Sequence, residues 1–161
     1  MADILVLTTG GTIDKLYFDA LSEYQIGDSV VDRLLATARV RKPFRVQGLM
    51  RKDSLDLDDA DRAAIAAAVA EAPERQIVIT HGTDTMTETA RALAQIAGKT
   101  IVLVGALAPA RFADSDASFN LGMAFAAAQV APPGVWIAMN GTIFPAAHVR
   151  KDRGANAFVP V

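Results

Sequence analysis

The chain has 161 residues, 52% of them hydrophobic, no cysteine, and 16 basic against 18 acidic side chains for a net charge of −2. That length suits one domain with a real core, and the lack of cysteine excludes disulfides, thiol nucleophiles and thiolate metal sites. The near balance of charge offers no broad attraction to nucleic acid, and the basic cluster Arg39, Arg41 and Lys42 reads as a solvated loop.

Residues 4–9 form a continuous apolar run ending near glycine, the pattern of a strand covered on both faces. Residues 30–37 predict a short helix with Leu34 and Leu35 inward, and residues 44–49 are a weaker strand candidate. Asp58, Asp59 and Asp61 place negative charge at a helix start, before the apolar stripe Ile65, Ala68 and Val69. Residues 76–80 predict a second strong strand. Thr85 and Glu88 then have capping-box spacing ahead of Ala90, Leu93, Ala94 and Ala97, with Gly98 as the stop. A strand over 100–104 and a helix over 119–130 follow, the latter terminated by Pro132, Pro133 and Gly134. The last strong strand is 135–139.

Strands alternating with helices predict an α/β fold, a Rossmann-like or flavodoxin-like sandwich with a mostly parallel central sheet. One domain is expected over residues 1–161. No apolar stretch approaches the length that spans a bilayer, and the start carries an acidic residue where a signal peptide has a basic leader. A soluble, cytoplasmic protein without membrane or nucleic-acid partners is expected.

Open parallel sheets bind ligands outside the carboxyl ends of their strands. Here those ends read Thr8-Thr9-Gly10-Gly11-Thr12, His81-Gly82-Thr83-Asp84-Thr85, Gly105-Ala106-Leu107-Ala108-Pro109 and Asn140-Gly141-Thr142. Hydroxyls, a carboxylate and accessible backbone amides are therefore expected to gather at one edge. The first loop matches neither the dinucleotide nor the Walker fingerprint, and no H-E-x-x-H or G-x-S-x-G is present. Neither a cofactor nor a metal is implied. His81 reads as structural.

The motifs TTGGTI at residues 8–13, ITHGTDTMTETA at 79–90 and VLVGALAP at 102–109 occur together. With Phe119-Asn120-Leu121, Met139-Asn140 and Val149-Arg150-Lys151, the chain resembles the amino-terminal domain of the bacterial-type asparaginase and glutaminase family. The resemblance implies hydrolysis of a small amino-acid amide. It places the nucleophile on Thr12, an assisting tyrosine on Tyr24 through Tyr24-x-x-Gly27 (Tyr17 being the substitute), and a polar triad on Thr83, Asp84 and Lys151. A threonine hydroxyl needs a neighbour to accept its proton, and a partly desolvated lysine oriented by Asp84 can serve. The spacing does not separate Thr12 from Thr83 as the attacking group. Backbone amides near Gly11 and Ala106 are expected to hold the oxyanion. Asp84 would take the substrate ammonium and Ser54 its carboxylate.

Leu55, beside Ser54, stands at a substrate-binding position where the family commonly has glutamine or serine, and Ala108 replaces an arginine. The chain also stops soon after Lys151, where family members continue into a second domain, so a short form lacking that domain is expected. The leading expectation is an L-asparaginase acting through a threonine acyl-enzyme, without cofactor. The competing expectations are a non-catalytic amino-acid-binding regulatory module and the ammonia-producing component of an amidotransferase. Self-association into a dimer or tetramer is expected, with residues 141–145 and 158–161 as interface segments or intrachain packing.

Overall fold

The computed structural model describes residues 2–18, 23–26 and 29–161, with backbone alone for residues 17, 18 and 23–26. In chain order the elements are β1 (Ile4–Gly10), β2 (Lys15–Phe18), β3 (Glu23–Ile26), α1 (Val31–Thr37), β4 (Phe44–Lys52), α2 (Asp59–Glu71), β5 (Gln76–Thr80) and α3 (Met86–Leu93). There follow β6 (Thr100–Val104), α4 (Ala117–Val130), β7 (Gly134–Met139), β8 (Thr142–Pro145), β9 (Val149–Asp152) and β10 (Ala157–Pro160).

Six strands form the main sheet in the order β4-β1-β5-β6-β7-β8. The first five are parallel, and only β8 runs antiparallel, against β7. Counted by appearance, the parallel strands lie second, first, third, fourth, fifth, the flavodoxin-like arrangement. The α/β expectation of a mostly parallel sheet therefore holds, and of its two forms the strand order selects the flavodoxin-like one.

Alternate residues of the central strands feed two cores. Leu5, Leu7, Ile77, Ile79, Ile101 and Leu103 pack with Ile65 and Val69 of α2 and Met86 and Leu93 of α3. Ile4, Val6, Val78, Val102 and Val104 pack with Val31 and Leu35 of α1 and Leu121, Ala124 and Ala128 of α4. Burial on both faces is why these strands read as unbroken apolar runs. The alanines of α4 leave room for that helix to lie close against the sheet.

The weak candidate at 44–49 is a full edge strand extending to Lys52, paired with β1 from Ile4↔Phe44 to Gly10↔Lys52. Its outer edge is solvated, so charged residues interrupt the apolar signal. The Asp58–Asp61 capping box on α2 is present. The Thr85–Glu88 box is not: Thr85 caps α3 without a side-chain bond to it. Its hydroxyl donates instead to the Ser54 carbonyl, and Glu88 pairs with Arg62 at 3.2 Å. Helix α3 also stops at Leu93, short of Gly98.

Of the two segments expected at an interface or in intrachain packing, 141–145 and 158–161, residues 142–145 pair as β8 with β7 and residues 158–160 lie in β10 against β9. Asn140 and Gly141 link β7 to β8 with φ of 52° and 69°, the two-residue turn that Asn-Gly favours. Among the described residues, no helix is long and apolar enough to cross a membrane.

Candidate active site

The sheet reverses direction of growth between β1 and β5, and in open α/β sheets the crevice that takes a ligand lies at this switch point, outside the carboxyl ends of the strands. The loop after β1 and the loop after β5 meet there, backbone to backbone. A Cβ on Gly11, already at φ 88°, would overlap the Gly82 nitrogen. A Cβ on Gly82 would stand 2.6 Å from the Ser54 Cβ. Two glycines thus let three loops converge where any side chain would hold them apart.

Thr12 follows Gly11 directly and opens the 3-10 turn Thr12–Asp14, half-buried. That turn is fastened to the loop after β6. Ile13 packs with Ala106 and Ala117, the Ala110 amide donates to the Ile13 carbonyl at 3.1 Å, and Arg111 Nη1 donates to the Asp14 carbonyl at 3.1 Å. Ala106 is itself buried. The loop after β6 is shaped in turn by Asp116, whose carboxylate accepts from the Leu107 and Ala108 amides. Asn120 completes the support, donating to the Gly105 carbonyl at 3.0 Å and to Asp116 at 2.8 Å.

Thr83, Asp84 and Lys151 do come together. Lys151 Nζ donates to Thr83 Oγ1 and to Asp84 Oδ1, each at 2.8 Å, across 68 and 67 residues of sequence. Lys151 is on β9, opposite Phe158 of β10. Val149 and Phe158 sink into the core, and Asn140 Oδ1 takes the Phe158 amide at 2.7 Å. The small hairpin is therefore pinned at its base, and the lysine reaches from it to the Thr83–Asp84 loop. The Lys151 side chain is 16% exposed and that of Asp84 28%. Thr83 is buried. The Lys151 hydrogen bond, opposed by partial burial, holds the Asp84 carboxyl below its ordinary value.

Arg153, two residues beyond Lys151, also reaches Asp84 Oδ1, with Nη2 at 3.2 Å and Nε at 3.3 Å. No signal in the sequence pointed to it, because Arg153 stands in the turn just past β9, where strand periodicity no longer applies.

Ser54 lies at the crevice but is almost wholly covered, 1% exposed. Its Oγ accepts from the Thr85 amide at 3.3 Å. Leu55 does not join the cluster: its side chain is 65% exposed on the surface. Tyr24 lies on β3 opposite Tyr17; its side chain, that of Tyr17, and Gly27 lie outside what is described.

His81 is fully buried behind the crevice, with Nδ1 2.6 Å from the Gly82 carbonyl and Nε2 2.7 Å from Thr89 Oγ1. A carbonyl only accepts, so Nδ1 carries the proton and Nε2 accepts from the threonine. Desolvation drives its pKa down to about 4. The ring is a neutral strut for the Gly82 peptide. Asp14, also buried, shifts the other way, pushed up chiefly by desolvation and restrained by the Val30 amide. A cavity of about 550 Å³ beside α1 is lined by Asp14, Thr8, Ser29 and Asp32 among others, and it does not include Thr83, Asp84 or Lys151. Among the described residues, no group of three or more His, Asp or Glu side chains is arranged to hold a metal ion.

Fold and site together define a class: a flavodoxin-like α/β domain with a hydroxyl, ammonium and carboxylate clustered at its switch point. Residues 3–158 match the family model described as asparaginase, N-terminal, and the chain belongs to that family. It is 32% identical to an L-asparaginase of Thermococcus kodakarensis, covering 96% of this chain and 50% of that protein. Identity to L-asparaginase 2 of Escherichia coli is 33%, over 94% of this chain and 47% of that one. The crystal structure of a probable cytoplasmic L-asparaginase from Campylobacter jejuni superposes with a TM-score of 0.84 at 29% identity, over 99% of this chain and 52% of that chain. The chain thus spans about half the length of the curated relatives it matches.

Proposed function

We propose that this chain carries an amidohydrolase site that converts L-asparagine to L-aspartate and ammonia through a threonine acyl-enzyme. The observation that carries the reading is Lys151 Nζ bonded at once to Thr83 Oγ1 and Asp84 Oδ1, on the loop whose Gly82 meets Gly11, the residue before Thr12. The family membership and the asparaginase names of the relatives support it.

Thr12 is the better nucleophile of the two threonines. It is half-buried at the turn, whereas Thr83 is covered and its oxygen already accepts from Lys151. Thr83 suits a relay. Lys151 first releases a proton to solvent; Thr12 Oγ1 then attacks the side-chain carboxamide carbon, its proton passing to Thr83 as that hydroxyl hands its own to the free Nζ amine. The developing oxyanion is assigned to backbone amides near Gly11 and Ala106 other than those of Gly11, Leu107 and Ala108, which donate to the Lys52 carbonyl and to Asp116. The same pair returns the proton to the departing nitrogen, the C–N bond breaks, and ammonia leaves. Water then adds to the ester carbon, the C–O bond to Thr12 breaks, and aspartate is released. Asp84 pairs with the substrate ammonium, and the Ser54 hydroxyl keeps a proton to donate to its carboxylate.

An ammonia-release assay on asparagine and glutamine tests this, with Thr12→Val, Thr83→Val and Lys151→Met alongside. Each variant is expected to lose about 100-fold or more in kcat with its circular dichroism retained. Unchanged rates in all three would reject the assignment. Binding of asparagine by the parent chain without turnover would favour a regulatory module instead.

A further inference from the structure

Asp84 has two cations on one oxygen. Lys151 and Arg153 both bond to Oδ1, yet they differ in freedom: the Lys151 side chain is 16% exposed and that of Arg153 67%. Lysine is held by Thr83 as well, whereas the guanidinium reaches the crevice from the turn between β9 and β10. An ammonium docking on Asp84 would bring a third positive charge to one carboxylate. Arg153 is the cation free to leave.

The substrate proposed above carries its own answer to that excess, because an α-amino acid holds a carboxylate two bonds from its ammonium. The other group at hand for that carboxylate is Ser54, a neutral and deeply covered hydroxyl. A guanidinium released from Asp84 has the planar two-pronged geometry a carboxylate prefers. We infer that Arg153 is a substrate-recognition residue: it rests on Asp84 in the empty site and moves to the α-carboxylate when the ammonium takes its place. The exchange keeps charge balanced, with Asp84 paired to the ammonium and Arg153 to the carboxylate. It selects for amides that carry both groups.

This inference rests on the amino-acid-amide reading of the site, and its test separates the two. Ammonia release and calorimetric binding are measured for L-asparagine and for 3-aminopropanamide, which is asparagine without its α-carboxylate. The parent chain, Arg153→Ala and Arg153→Lys are compared. For Arg153→Ala, KM for asparagine is expected to rise about tenfold with kcat changed less than threefold, while KM for the decarboxylated amide stays or falls. The preference for asparagine thus drops about tenfold, and Arg153→Lys restores part of it. Equal changes for both amides, or no change for either, would overturn the role of Arg153. If the parent chain turned over neither amide, the hydrolase reading would fail, and the calorimetric preference for the carboxylate-bearing ligand would still decide the role of Arg153.

Discussion

Gly11 and Gly82 touch through their backbones although 71 positions separate them, and two residues back the Thr9 hydroxyl donates to the Thr80 carbonyl at 2.7 Å. The contact sets how far the Thr12 turn stands from the Thr83–Asp84 loop. Gly11→Ala must both push Gly82 away and hold a side chain at φ 88°. It is expected to cost about 2–4 kcal/mol in urea unfolding. Ammonia release should fall far more than that loss of stability explains, because Thr12 moves. An active Gly11→Ala protein of parental stability would refute the contact.

Asp84 ties acid sensitivity to the same cluster. Its folded-state pKa lies below the ordinary 3.8, mainly because Lys151 donates to it. A lowered carboxyl value means the pair stabilises the fold above pH 3.8, and the contribution disappears as pH falls through the lower folded value. Acid unfolding of the parent and Asp84→Asn should therefore differ above pH 3.8 and converge below it. The gap should shrink in added salt, since the carboxylate is part-exposed. A difference that persists unchanged into strong acid would contradict the ion pair.

His81 makes a second and higher acid limb. Burial lowers its pKa from 6.5 to about 4, so the unfolded chain binds a proton in that window and the folded chain does not. Stability thus falls as pH drops from 6.5 toward 4, by ~3 kcal/mol at most. His81→Gln, which does not titrate, should start lower at pH 7 and lose less over that interval. Urea midpoints from pH 7 to pH 4.5 measure both slopes, and parallel slopes would show that His81 does not bear the effect.

Phe158 controls Lys151 from beneath. Its ring is 3% exposed in the core, and its backbone faces Lys151 across the hairpin. Phe158→Ala is expected to cost about 3–5 kcal/mol and Phe158→Leu much less. Hydrogen exchange should quicken first at residues 149–160, with activity lost while β1, β5 and β6 stay protected. Uniform loosening of the whole sheet would count against a hairpin that is pinned locally.

The strong apolar runs marked four strands that the structure places within a residue or so of their expected bounds, and strand–helix alternation was enough for an α/β class. Those signals are local, because a strand buried on both faces must be apolar at every position. The motifs likewise named Thr12, Thr83, Asp84 and Lys151 before any geometry. Weaker were the elements whose reason for existing is a distant partner. Strand β4 is half-solvated and β9–β10 is short. Thr85 has the spacing of a cap, yet its hydroxyl is claimed by Ser54, 31 residues away.

Composition and pattern alone thus determined the layered class of the fold and the loops gathered at one edge of the sheet, and the family resemblance pointed to Thr83, Asp84 and Lys151. Only the tertiary structure decided the strand order and with it the switch point between β1 and β5. It also decided that Asp84 has a second cation in Arg153, that Leu55 faces solvent, and that Ser54 is covered. The physical reason is range. Burial periodicity and turn chemistry act within a few residues, whereas a hydrogen bond spanning 68 positions exists only after the chain has paid the entropy of bringing its ends together.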